Sequence, residues 1–158
     1  MTLGNLARSR RRSGGQALVE FALVAPIFFL LLFAVIEGGR FVYYYQTLAN
    51  ATREGARFAI VNGSNTLRCS TGRPEPGSES CDPSGALVKQ RVVSAAVGVP
   101  LSAADVVPEW LNSVGGTGYN TRGNRVQVTA TLTYRSLIPI VPLPPITVRA
   151  ESMLVINN

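Results

Sequence analysis

The chain has 158 residues, with 15 Lys and Arg against 9 Asp and Glu, no histidine, two cysteines and a mean hydropathy of +0.20. That length holds one domain plus a membrane helix, and the absence of histidine removes the commonest general base and with it most Ser and Cys triads. A net charge of +6 would suit nucleic acid, but Arg8, Arg10, Arg11 and Arg12 all lie in the first 15 residues, and the other 143 carry 11 basic and 9 acidic residues, or +2, as scattered arginines rather than a basic face.

Residues 1–13 are polar and Arg-rich without an apolar period, and read as a disordered leader. From 21 to 36 every residue is apolar except for Pro26, and the run reaches back to Ala17 if Glu20 is tolerated. At about 1.5 Å per residue, roughly 20 residues cross a ~30 Å hydrocarbon core, so residues 17–36 suffice. The arginines on one flank place the N-terminus in the cytoplasm and the remainder outside. A cleaved secretory signal is the competing reading, but the apolar run is too long and residues 36–40 lack a small-x-small cleavage site. Glu20 is the anomaly: a carboxylate near the start of a lipid-facing helix either lies at headgroup depth or marks function. Pro26 removes a backbone donor and predicts a kink near Ala22. Gly38 and Gly39 suit either a hinge or close helix packing.

From Phe41 the pattern becomes amphipathic. Phe41, Tyr44, Tyr45, Leu48, Ala51, Gly55, Phe58 and Ala59 recur at three- and four-residue steps, opposite Gln46, Thr47, Asn50, Arg53, Glu54 and Arg57. The spacing predicts that the helix continues with one buried stripe, its small residues allowing close approach to a sheet, until Asn62 and Gly63 stop it. Tyr43, Tyr44 and Tyr45 fall at the expected headgroup level. Residues 64–81 form a Ser-, Gly- and Pro-rich loop carrying Cys69 and Cys81. Outside the cytoplasm these predict a disulfide, which closes a loop of about a dozen residues for roughly 2–3 kcal/mol; two thiols without histidine do not complete a zinc site. Asp82 and Pro83 read as an N-cap and first helical position, opening a second helix to about Val97 with Leu87, Val88, Val92, Ala95 and Ala96 inward. Val106 and Val107 open a short strand, 112–124 is a polar loop, and 125–134 alternates cleanly, with Val126, Val128, Ala130, Leu132 and Tyr134 on one face. After the proline-punctuated connection (Pro139, Pro142, Pro144, Pro145), residues 146–156 predict a final antiparallel strand. The fold class is therefore α+β: a long N-terminal helix, membrane-spanning then amphipathic, packed on a small antiparallel sheet with a second short helix.

No catalytic chemistry emerges. The nine acids are scattered without metal-ligand spacing, no Gly-rich phosphate loop follows a strand, and Lys89, the only lysine, has no motif linking it to Ser84 or Ser94. The expectation is a non-enzyme without cofactor, metal, nucleic acid or small-molecule substrate.

The arginines, Gly14, Gly15, and Glu20 as the fifth residue after Gly15, ahead of an apolar helix, resemble the leader of type IV-like prepilins. With Glu-x-Gly-Arg at 37–40 and Asn-Ala-x-Arg-Glu-Gly-Ala-Arg at 50–57, the stretch from Gly14 to Ala59 resembles the TadE-like family, the minor pilins or pseudopilins of tight-adherence (Tad) pilus systems. The resemblance implies cleavage by a prepilin peptidase between Gly15 and Gln16, and pairing of Glu20 with the new amine of Gln16 on the same or an adjacent subunit. It implies three parts: a cytoplasmic leader, 1–15; a transmembrane helix, 16–38; and an extracytoplasmic pilin-like domain, 39–158. The protein would sit in the bacterial cytoplasmic (inner) membrane as a single-pass subunit, with the bilayer, the peptidase, other pilin and pseudopilin subunits and the Tad inner-membrane machinery as partners. The alternatives are a membrane-anchored extracytoplasmic binding protein, in which Glu20 is incidental, and a type II secretion pseudopilin, which shares the leader but not the 50–57 motif.

Overall fold

The computed structural model describes residues 14–63, 71–77, 80–137 and 144–157. The chain divides into two compact units, Met1–Gly38 and Gly39–Asn158. Among the described residues, three helical elements and three strands succeed one another: α1 (Gly14–Val61), α2 (Ala86–Ala95), a 3-10 turn (Ala103–Asp105), β1 (Val106–Leu111), β2 (Arg125–Tyr134) and β3 (Ile146–Val155). The fold is α+β, with the long helix, the second short helix and the antiparallel sheet that the periodicities predict.

In the first unit, α1 runs continuously through Pro26. Its apolar side chains are exposed on every side: Leu18, Phe21, Leu23, Ile27, Leu31 and Val35 all stand open. A helix that is apolar all round has no polar face to give to water and is stable only in a protein core or in lipid. Its 18-residue apolar window has a mean hydropathy of 2.7 and is buried nowhere within the chain, so this helix is long and apolar enough to cross a membrane.

In the second unit, α1 buries Leu48, Ala51, Thr52, Gly55, Ala56 and Ala59. Tyr45, placed in the buried stripe by spacing, is about half exposed; Tyr44 and Leu48 already fill that face one turn apart. Thr52 and Ala56 take the stripe's other edge, the Thr52 hydroxyl donating back to Ala49 O at 3.0 Å. The helix ends at Val61, where the Asn62 side chain donates to Phe58 O at 2.8 Å and occupies a terminal carbonyl.

The sheet order is β1-β2-β3, antiparallel throughout, with Val128 opposite both Pro108 and Ser152. Pro108 lacks an amide donor and is tolerated because β1 lies at an edge. The predicted β2 face is buried residue for residue, Val126 through Tyr134. It joins Val88, Val92 and Ala96 of the α2 segment, Val106, Trp110, Val148 and the buried part of α1 in one core, where each large apolar side chain contributes about 1.5–3 kcal/mol by leaving water.

The second helix departs from expectation in two ways. It starts at Ala86, not Pro83, with Gly85 in the left-handed region (φ 69°) as the cap. Asp82 nevertheless performs the capping chemistry from three residues upstream: Oδ1 accepts from Ala86 N at 2.7 Å and Oδ2 from Leu87 N at 2.9 Å. The turn at Gly85 folds the carboxylate over the first helical amides, and a side chain at Gly85 would also collide with Pro108 and Trp110. Leu87 faces outward, and Val88, Val92 and Ala96, spaced by four, line the core.

Candidate assembly helix and the contacts that anchor it

The site residues expected from sequence lie mostly on the first turns of α1. Gly15, Gln16 and Glu20 all fall within this helix and are exposed. A Cβ added at Gly15 would meet nothing within 4 Å, so no packing demands glycine there. Gln16 and Glu20 are four apart and so stack on one face of the helix, one turn from each other. Among the described residues the Glu20 carboxylate makes no hydrogen bond or ion pair. The arginines at 8, 10, 11 and 12 lie outside the described residues.

Cys81 is not a free thiol, and Cys69 lies outside the described residues. The flanks of the cysteine loop are held firmly. Thr71 N donates to Asn62 O at 2.8 Å, and Gly72 N to Asp82 O at 2.6 Å. The buried Asn120 side chain donates to Thr71 O at 2.8 Å. Gly72, at φ 92°, lies flat against the Trp110 indole, where any Cβ would overlap the ring. Beside it an open cleft of about 420 Å³ is lined by Arg73, Glu109, Trp110, Leu111 and the Gly115–Gly116–Thr117 turn.

Two sets of contacts on α1 were not singled out by sequence reasoning. At the start of the second unit, the Arg40 guanidinium stands 5.2 Å from the Tyr44 ring centroid and 5.1 Å from that of Tyr134, and Nη2 donates to Arg135 O at 3.4 Å. Tyr134 also packs edge-on against Phe41 and Tyr44, at 5.3 and 5.5 Å between centroids. Arg40 thus ties the end of β2 to α1 through cation–π contacts. The signal was the arginine of Glu-x-Gly-Arg, but one of its two aromatic partners, Tyr134, lies 94 residues away.

The second set belongs to residues 50–57. Gly55 faces α2 so closely that a Cβ would overlap Val92 Cγ2, with Val88 and Val128 at ordinary contact distance. One turn of side-chain reach away, Glu54 Oε1 accepts from both Nε (3.1 Å) and Nη2 of Arg91. The hydrogen bonds from Arg91 come first, and its charge second, in holding the Glu54 carboxyl below the usual range; Arg57 adds a smaller pull and desolvation opposes them. Here the motif is a docking surface for α2: glycine for approach, alanines for the core, glutamate for registry.

A family model described as TadE-like protein matches residues 15–57. Over those residues the chain is similar to that family. The match covers the apolar span, Glu20, Arg40 and the whole 50–57 motif, and stops where α1 turns to its C-terminal stop. The likeness suggests involvement in Tad pilus-related function, and with the apolar helix it suggests membrane anchoring. No curated protein and no solved structure matches the chain.

Proposed function

We propose that this protein is a minor pilin-like structural subunit that takes part in assembly of a Tad-type pilus, inserted in the cytoplasmic membrane with its N-terminus inside and residues 39–158 outside. A prepilin peptidase cuts it between Gly15 and Gln16, and a disulfide joins Cys69 to Cys81 in the oxidising compartment. The observation that carries this reading is Glu20: among the described residues, one partnerless carboxylate on an exposed apolar helix, within the stretch similar to the TadE-like family. In apolar surroundings such a charge is costly until a cation joins it. Cleavage before Gln16 creates an amine four residues away on the same helical face, and places Glu20 near the positive end of the helix dipole. The same amine serves equally from an adjacent subunit. Processing and assembly are then coupled, because the cation does not exist before the cut.

The test is intact mass and N-terminal sequencing of the membrane-extracted chain, with and without its peptidase. A mature chain beginning at Gln16 only when the peptidase is present supports the reading; an uncut chain under both conditions sinks it. Glu20→Ala is expected to leave insertion intact and to reduce assembled pili in the sheared fraction, and wild-type assembly by that variant would remove Glu20 from the mechanism. The second reading, a membrane-anchored binding protein, draws on the open cleft beside Trp110, Arg73 and Glu109, and predicts an uncut chain in which Glu20→Ala has no effect.

A further inference from the structure

The two edges of the sheet are finished differently. On β1, Gly118 N donates to Trp110 O at 2.8 Å and Thr117 bridges Leu111. Pro108, in the same alternation as Trp110, has no amide to offer an outer strand. That edge is closed. The other edge is β3, and among the described residues its ten residues pair with β2 alone. Ile156 N donates to Asn124 O at 2.8 Å, continuing the same ladder. Hydrogen bonding alternates along an antiparallel strand, so the even-numbered amides of β3 face β2. Those of Thr147, Arg149, Glu151, Met153 and Val155 point off the open edge, and all five residues are exposed. An open edge of this length is a template for another strand.

The charges on β3 select the strand. Arg149 and Glu151 flank Ala150 on one face of the sheet, with side chains 62% and 42% exposed and 3.2 Å between them. Glu151 also accepts from Gln127 at 2.7 Å. An antiparallel strand complements this pair if it reads basic, any residue, acidic, and that is the order of β3 itself. We propose that β3 pairs antiparallel with β3 of a second copy, about a two-fold axis at Ala150. Arg149 then lies opposite Glu151 of the second copy, and Glu151 opposite its Arg149. Ile146 meets Leu154 of the second copy, so nearly the whole strand is used. Moving the register two residues either way sets Arg149 against Arg149 or Glu151 against Glu151, which is destabilising. A slip of one residue sets outward amides against inward ones. The two sheets become one, and both of its outer edges are closed β1 edges, so pairing stops at two copies. The axis stands normal to the sheet and sets the two second units head to tail. The inference rests on the second unit alone.

Full-length chains carrying Thr147→Cys or Met153→Cys would be purified in detergent without reductant, with Trp110 emission confirming the fold. Positions 147 and 153 face each other across the two-fold, whereas each stands six residues of strand, about 20 Å, from its own counterpart. A short bismaleimide should therefore give a dimer band several-fold stronger in the mixture than in either variant alone, with the parent chain setting the background. Adding Arg149→Glu to both chains sets like charges opposite each other and should weaken the band about ten-fold. Placing Arg149→Glu in one chain and Glu151→Arg in the other restores opposite charges at both pairs and should recover it. No band in the mixture, or equal bands from the variants alone, overturns the pairing. A band indifferent to Arg149→Glu, or one that the complementary charges do not recover, overturns it as well.

Discussion

The contact between Gly55 and Val92 permits a quantitative test of how the 50–57 motif docks α2. In Gly55→Ala the new methyl must enter space held by Val92 Cγ2. Valine in a helix keeps essentially one χ1 rotamer, so the clash is relieved only by shifting α2, at about 1–3 kcal/mol for overpacking. The better helix propensity of alanine returns up to about 1 kcal/mol, leaving a net loss of about 0–2 kcal/mol. Val92→Ala removes two methyl groups from a fully buried position; at ~0.8 kcal/mol each plus a cavity term, it costs about 2–3 kcal/mol. In the double variant the two alanines meet, the clash disappears and part of the cavity is filled, so the loss falls to about 1 kcal/mol. The cycle should therefore show a favourable coupling of about 1–4 kcal/mol. The assay is thermal unfolding of the full chain in detergent monitored by Trp110, the only tryptophan and a buried one, where 1 kcal/mol corresponds to roughly 4 °C for a unit of this size. Additive single effects, with Gly55→Ala as stable as the parent or more so, would refute close α1–α2 approach as the reason for glycine here.

Other expectations rest on single contacts. Arg40→Met keeps the apolar stem but loses two cation–π contacts, and should cost about 1–2 kcal/mol; Arg40→Lys should recover only part of it, since an ammonium lacks the planar face. An unchanged melting temperature in Arg40→Met would remove the Arg40 clasp. Asp82→Ala orphans the first amides of α2 and should lower stability by about 1–2 kcal/mol, read as a lower urea midpoint with unchanged slope. The Glu54 carboxyl titrates below the ordinary range because of Arg91. Its contribution is therefore fully present above the usual glutamate pKa, and lost as pH falls through the lowered folded value. Wild type should lose stability faster than Glu54→Gln across that acid window, and parallel stability curves from about pH 6 to about pH 3 would contradict it.

Several of the predicted elements were legible because their signals are local. The apolar run of 21–36, the stop at Asn62, and the alternation of 125–134 each depend on the identity of neighbours within a few residues. The same holds for Gly15, Gln16 and Glu20, whose spacing along one helix needs no partner to be read. The misplacements share a cause. Tyr45 and Leu87 are apolar enough for the core and nearly in phase, but a stripe a few residues wide is trimmed by what it packs against. Asp82 was right in chemistry and wrong in position, because the left-handed turn at Gly85 lets a cap act from three residues upstream.

Arg40 meets an aromatic ring 94 residues downstream, and Gly55 meets a valine in another helix. No periodicity contains such pairings, because they are set by how α1, α2 and the sheet close on one core. Local composition was enough for the helix periods, the strand alternation and the apolar span, since backbone geometry imposes a period of about 3.6 on any helix and about 2 on any strand. Which glycine is a contact point, which arginine a clasp and which apolar residues face outward was settled only when distant segments competed for the same volume.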